Sequence, residues 1–432
     1  LRNKPLYIAL ALLIFSLTIG LGWAKLNDHW QTQKREQLTL QQRIDLSWEI
    51  ADYKLTKTID YLRQNSLAGR NYPEYTEKGK WNKTRSKSWA AGYFPGLLWK
   101  MSLHTKKDSW RENARKWSQP LRDFTEKATD VTTNNLLVFA PWFEQSEGAE
   151  KTEQLDSILA GARTLSKRFH PAIGTLGIAR KAKTDNQVHW QSFIDHIINV
   201  EQLLWASAHN SNPLEAKNWR NQAIRHIKTL GATFGKNRHP GKSGTWQRGY
   251  FDDRVDSPTY KKFLFNEGKQ GWRNDSTWSR GQAWVIYGSS IAYQYTQDPQ
   301  VLKVAKESIN YLLSQLPKDG IVPWDFDYAL KHPETEKDSS ASAIALAGII
   351  RLLQTLPRTD PDWSRYKQGV DTILIALTSR DYLPDRESPQ MSLLSHGCYH
   401  HPKSLTPSQI YDNGLIWGDY FFIAALLDYE KL

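Results

Sequence analysis

Asn274-Asp275-Ser276-Thr277-Trp278-Ser279-Arg280-Gly281-Gln282-Ala283-Trp284 sets an acid, two hydroxyls, two indoles, a guanidinium and a carboxamide within eleven residues. Either Asp275 or Ser276 can cap a helix, because each offers an oxygen to the free N–H groups of a first turn. A helix that starts here carries Trp278 and Arg280 at its mouth, with Gln282 and Trp284 close behind. Indoles beside a fixed cation suit a sugar ring and its carboxylate. The same stretch also reads as an aromatic helix start buried in a core.

Outward from this stretch, the composition favours a carbohydrate surface. The chain holds 19 Trp and 19 Tyr among 432 residues. A core needs Leu, Ile and Val rather than so many indoles. The formal net charge is +12, which attracts polyanions. No run of Lys and Arg resembles a nucleic-acid arm, and no zinc or helix-turn-helix spacing is present. An acidic oligosaccharide fits charge and aromatics together, and no nucleic-acid partner is expected.

Arg2 and Lys4 precede an uncharged apolar run from Pro5 to Trp23, and Gly22 and Ala24 have the spacing of a cleavage site. Residues 1–24 therefore read as a signal peptide, with an uncleaved membrane anchor as the alternative. Residues 25–432 read as one exported domain, periplasmic or secreted. It would meet a membrane only if the leader is retained. Cys398 is the single cysteine, so no intrachain disulfide can form.

The body reads as helix after helix. Apolar residues recur at helical spacing over 40–63, 152–169, 192–208, 214–234, 282–295, 301–316, 341–356, 363–377 and 415–429, with shorter candidates at 91–101 and 136–144. Gly, Pro or Asn/Asp breaks follow most of them. Strand alternation is scarce, and no repeat of solenoid length appears. A dozen helices can be arranged as six hairpins in a ring, with the Trp-rich loops gathered at one end.

Motifs across most of the chain resemble, in order, those of the unsaturated glucuronyl hydrolases (glycoside hydrolase family 88). Trp89-Ala90-Ala91-Gly92-Tyr93-Phe94-Pro95-Gly96-Leu97-Leu98-Trp99 is similar to the family's W-x-x-G-F-x-x-G-x-L-W. Ile194-Asp195 with Asn199, Leu204, Trp205 and Ala206 follows, after Leu165-Ser166-Lys167-Arg168-Phe169. Gln270-Gly271-Trp272 leads into the opening stretch, and Trp324-Asp325-Phe326-Asp327, Asp338-Ser339-Ser340 and Gly418-Asp419-Tyr420 come later. The resemblance implies an all-α fold, an (α/α)6 barrel. It also implies removal of a 4,5-unsaturated uronic acid from the non-reducing end of lyase-generated oligosaccharides, without a cofactor.

That reaction needs one carboxyl group that donates a proton and then accepts one from water, and the resemblance assigns it to Asp195. Indole walls suit such a role, because they disfavour the charged form. Asn199 lies one α-helical turn away and would orient the carboxyl. Gln270 matches a substrate-contacting glutamine. Trp89, Trp278 and Trp284 match pocket tryptophans, and Arg280 an arginine beside them.

Three stretches depart from the family pattern. Where the family has H-D-x-G-F, this chain has Asn134-Asn135, so Asn135 stands in the position of a catalytic-site acid. An amide keeps a hydrogen bond but cannot transfer a proton. Asp130 is the nearest acid. Lys269 precedes Gln270 where a histidine is common, and 176–180 lacks a tryptophan and ends in Arg180. These departures leave two other readings. One is a glycosidase on another acidic sugar that pairs Asp195 with Asp275 or Asp338; the other is a binding protein without catalysis. His396, His400 and His401 cluster near Cys398, but their spacing matches no standard metal site, so a loop beside the cavity is expected.

Overall fold

The computed structural model describes residues 34–65, 69, 71–125, 135–235, 244–406 and 409–432. The leader (1–24) and Asp130 lie outside these residues. Helices dominate: α1 (Leu40–Gln64), α2 (Tyr93–Thr105), α3 (Asp108–Ser118), α4 (Asn135–Glu144), α5 (Gly148–Ser166), α6 (Val200–His209) and α7 (Pro213–Leu230). After them come α8 (Ser279–Thr296), α9 (Pro299–Ser314), the single turn α10 (Phe326–Ala329), α11 (Ser339–Leu353), α12 (Trp363–Leu377) and α13 (Ile416–Tyr429).

Burial sorts them into two layers. Every residue of α8 from Ser279 to Ala292 is buried, as is every residue of α13 from Ile416 to Leu426. In α11 only Arg351 escapes burial. Helices that are apolar or small all round belong inside a fold, whereas helices with one apolar stripe cover it. The second kind includes α3, α7, α9 and α12, whose buried residues fall on one face. The inner helices touch in cyclic order: α2 packs on α4, α4 on α6, α6 on α8, α8 on α11, α11 on α13, and α13 returns to α2. The outer α3, α5, α7, α9 and α12 each back the inner helix that precedes them, and α1 packs against α12.

Inner helices this close need small residues at their crossings. A Cβ on Gly348 of α11 would stand 2.7 Å from the backbone nitrogen of Tyr287 in α8. Small residues, Ser339-Ser340-Ala341-Ser342-Ala343, also make up the buried start of α11, where Ser340 accepts from the Trp417 indole of α13.

The expected cap of α8 does not form. The helix starts at Ser279, with Trp278 at the N-cap and no side-chain capping bond. Asp275 instead faces Arg273 at the surface, 3.1 Å away. Ser276 donates its hydroxyl to Asp325 at 2.7 Å. Asp325 also accepts from the Trp272 amide and caps α10 through Tyr328 N–H, while Asp327 accepts from Thr277 N–H at 2.6 Å. The Trp324-Asp325-Phe326-Asp327 stretch thus holds 272–278 as a loop, which competes with helix.

Short antiparallel strands were also missed by the helical reading. β1 (Tyr72–Glu77) pairs with β2 (Lys80–Thr84), and β3 (Phe169–His170) with β4 (Thr175–Leu176). A four-stranded sheet joins β5 (Ile178–Lys181), β6 (Val188–Phe193), β7 (Arg248–Phe251) and β8 (Phe263–Glu267) in sequence order. Register sets Ile178 opposite Gln191, Arg180 opposite His189 and Phe193 opposite Arg248. The period of two puts all six on one face of the sheet.

Candidate active site

The four-stranded sheet and the loops preceding α8 and α13 enclose a cavity of about 350 Å³. Ile178, Arg180 and Phe193 line it from the sheet, and Asp195 and Asn199 from the 3₁₀ helix Ile194–Asn199 that leaves β6. Trp89, Gln270, Trp278, Arg280 and Trp284 also line it. Asp195 and the six expected substrate contacts therefore meet in one pocket. Tyr399, His400, Arg168 and His196 complete much of the wall, and the sequence reading had given none of them a contact. The histidine-rich stretch was the available signal for His400.

Asp195 is the only carboxylic acid among the described residues that line the cavity. Its side chain is open to the pocket, but Oδ1 is buried and has no hydrogen-bond partner among the described residues. Burial raises its carboxyl from 3.8 to about 6, against the opposing pull of Arg280, Lys269 and Arg248. The imidazoles move the other way. Burial lowers both His196 and His400 to about 4, so both are neutral near pH 7. Tyr399 is pushed up to about 12, also by burial. Among these four groups, only the Asp195 proton is exchanged near neutral pH.

The expected bond between Asp195 and Asn199 is absent. Helix geometry here is 3₁₀ rather than α, with three residues per turn, so positions i and i+4 diverge in direction. Asn199 Oδ1 is likewise buried and unpaired. Both side chains present unmatched acceptors to the cavity wall.

Arg280 is held tightly. One terminal nitrogen donates to Asp338 at 2.9 Å and to the Cys398 carbonyl. The other donates to Gln270 Oε1 at 2.8 Å and to the Tyr399 carbonyl at 3.0 Å. Its guanidinium carbon lies 4.5 Å from the Trp278 ring centre and 5.6 Å from that of Trp417. The four terminal N–H groups are thus taken by protein acceptors. What Arg280 gives the pocket is chiefly a fixed positive field, and it orients Gln270. Trp89 packs 4.7 Å from Trp417 and donates its indole N–H to the Tyr399 hydroxyl at 3.2 Å.

Asn135 stands apart from the cavity lining. It is buried at the start of α4, where Nδ2 donates to the Ser157 carbonyl at 3.3 Å and Oδ1 accepts from Gln202 at 3.0 Å. It joins α4, α5 and α6. Asp338 is equally occupied, capping α11 through Ser340 N–H and Ala341 N–H while pairing with Arg280. His396 binds Asp412, and His401 binds Glu336 at 2.7 Å while stacking on Trp324.

No family model matches the chain. The unsaturated chondroitin disaccharide hydrolase of Streptococcus pyogenes serotype M1 is 26% identical over 404 residues, spanning 92% of this chain and 94% of that protein. The unsaturated glucuronyl hydrolase of Bacillus sp. strain GL1 is 26% identical over 371 residues, spanning 84% and 92%. The solved structure of the unsaturated glucuronyl hydrolase from Bacillus sp. GL1 superposes with a TM-score of 0.75 at 25% identity, covering 91% of this chain and 97% of that one. Helical fold, aromatic pocket and these likenesses define a glycoside hydrolase. Within that class the chain is similar to unsaturated glucuronyl hydrolases over most of its length.

Proposed function

We propose that this enzyme removes a 4,5-unsaturated uronic acid from the non-reducing end of lyase-generated acidic oligosaccharides. The observation that carries this reading is Asp195: a lone carboxyl in an aromatic cavity, with an unpaired buried oxygen and a proton held to about pH 6. The ring of inner helices with its outer layer is read as an (α/α)6 barrel of six hairpins. Residues 1–24 are read as a signal peptide or anchor that precedes a single exported domain over 25–432.

The reaction then runs through one group. Protonated Asp195 gives its proton to C4 of the enol ether, and positive charge develops at C5. The resulting carboxylate takes a proton from water as the water oxygen bonds to C5. The hemiketal opens, the C–O bond to the aglycone breaks, and the aglycone leaves as an alcohol. A single carboxyl that returns to its starting state suffices, because it acts as acid and then as base. The field of Arg280 and Lys269 stabilises the carboxylate formed between the two steps. Trp278 and Trp284 suit the planar unsaturated ring. Asn135 acts from outside the cavity, by holding Gln202 one turn below Asn199.

Direct hydrolysis of a saturated glycoside needs two carboxyl groups flanking the anomeric carbon. Asp275 faces solvent with Arg273, and Asp338 is committed to Arg280. Neither shares the cavity with Asp195, which favours the enol-ether route. Incubation with unsaturated disaccharides tests it: loss of the double-bond absorbance should match release of aglycone mole for mole. Release of aglycone from saturated analogues at the same rate would contradict it.

A further inference from the structure

The side of the cavity away from the tryptophans carries more positive charge than its surroundings neutralise. Arg180 sits on edge strand β5, and Arg168 precedes β3; both line the cavity. Among the described residues neither guanidinium makes a side-chain hydrogen bond or an ion pair. Arg248 lies on the same sheet face, packed 5.4 Å from the Phe193 ring centre. It is 6% exposed, and its Nε is buried with no acceptor. The neighbouring acid on β8, Glu267, is engaged elsewhere. One oxygen accepts from Lys183 N–H, Thr184 N–H and the Thr184 hydroxyl, and the other from Tyr250. Arg248 donates to the Gly268 carbonyl, whereas Arg168 is half-buried and Arg180 exposed at the cavity rim; a half-buried cation without an acid beside it favours an anion supplied from outside.

Two sets of cations can be separated by what they act on. Arg280, Lys269 and Arg248 act on Asp195, the reacting group. Arg168 acts instead on His196, and Arg180 on Arg248 and Tyr250. Arg180 on the edge strand β5 and Arg168 just before β3 bring their charge to the cavity from the sheet side, whereas Trp278 and Trp284 enter it at the start of α8. Resting on the function proposed above, we infer that Arg168 and Arg180 form a subsite for a second anionic group, carried by the sugar next to the unsaturated uronate. A fork of guanidinium donors binds a sulfate ester or a carboxylate equally well in principle.

The test uses the complete protein and three unsaturated disaccharides that share one backbone: an uncharged second sugar, a sulfated one and one with a carboxylate. Initial rates give kcat/KM for wild type, Arg168→Gln, Arg180→Gln and the double variant. Tryptophan quenching gives the affinity for each compound independently of turnover. Wild type should prefer one or both anionic compounds by about tenfold or more over the uncharged one. The double variant should lose most of that preference, chiefly through KM. Which anion keeps the preference identifies the source. Equal binding of all three compounds by wild type, or an unchanged preference in the double variant, would overturn the inference. If no compound is turned over, the reading of the reaction fails, while quenching still decides the subsite.

Discussion

Arg280 and Asp338 form an ion pair at 2.9 Å in which both side chains are essentially inaccessible to water, 2% and 0% exposed. The pair ties the first turn of α8 to the N-terminus of α11, and so joins two of the inner helices where they face the pocket. Through Gln270 and the Tyr399 carbonyl it also fixes two more segments of the wall.

Removing one partner would strand the other. Asp338→Ala leaves a buried guanidinium without its counter-ion and uncaps α11, so we expect a loss of about 3–5 kcal/mol. Urea unfolding followed by circular dichroism measures it. A loss of about 0.5 kcal/mol or less would mean that Arg280 finds another acceptor.

The pH profile follows from the raised carboxyl. Only protonated Asp195 can donate to C4, so kcat/KM should be flat below about pH 5 and fall tenfold per pH unit above about 6. At pH 8 about one hundredth of the plateau should remain. His196 and His400, neutral above about 4, should add no second inflection between pH 5 and 8.

Stability is linked to the same proton. Because the folded-state value lies above the ordinary one, the native protein binds this proton more tightly than the unfolded chain. The resulting contribution is full below pH 4 and is lost as pH rises through about 6. Asp195→Asn removes the loss. The variant should gain stability relative to wild type between pH 4 and 7, read as a rising difference in melting temperature. A constant difference across that range would contradict the assigned burial.

Asn135 can be tested by restoring an acid. In Asn135→Asp the Nδ2 donor to the Ser157 carbonyl is replaced by an oxygen. A charged group there meets no cation partner among the described residues, so we expect a loss of about 1–3 kcal/mol at pH 7, less at pH 5, and no gain in turnover. A marked rise in kcat would instead show that this position reaches the substrate.

Packing of the inner layer gives a fifth test. Gly348→Ala places a methyl group 2.7 Å from the Tyr287 backbone, where α8 and α11 cross. The helices must separate, at a cost of about 1–3 kcal/mol. Thermal unfolding measures it, and a neutral or stabilised variant would contradict the close crossing.

Helices were legible because their signals are local. The 363–377 reading matches α12, and the 40–63 reading falls one residue short of α1. Helix α3 was missed: Asp108–Ser118 buries only Trp110, Ala114 and Ser118 among charged neighbours, so its apolar stripe is thin. Strand β6 was missed because Val188-His189-Trp190-Gln191-Ser192-Phe193 mixes polar and apolar residues on both faces; His189 and Gln191 are buried, and Val188 is exposed. Without alternation, the end of that strand at 192–193 merged into the helical reading over 192–208, of which 194–199 is 3₁₀ helix and 200–208 lies in α6.

The site was legible where resemblance supplied it and less so where geometry decides. Trp89, Trp278, Trp284, Gln270, Arg280, Asn199 and Asp195 meet at one cavity. The saturation of Arg280 by four protein acceptors depends on carbonyls from 398 and 399, which are more than a hundred residues away in sequence. No local pattern reports such contacts. The displacement of the α8 cap likewise depends on Asp325, fifty residues downstream of Asp275.

Absorbance of the 4,5-double bond, followed with wild type and Asp195→Asn on the same lyase-generated oligosaccharides, tests the central claim most directly. The account predicts steady loss of the band with wild type. It predicts a drop of at least about a thousandfold with Asp195→Asn, while tryptophan quenching shows that the variant still binds. Turnover by the variant within tenfold of wild type would contradict the role of Asp195. No loss of the band with any substrate would contradict the reaction itself.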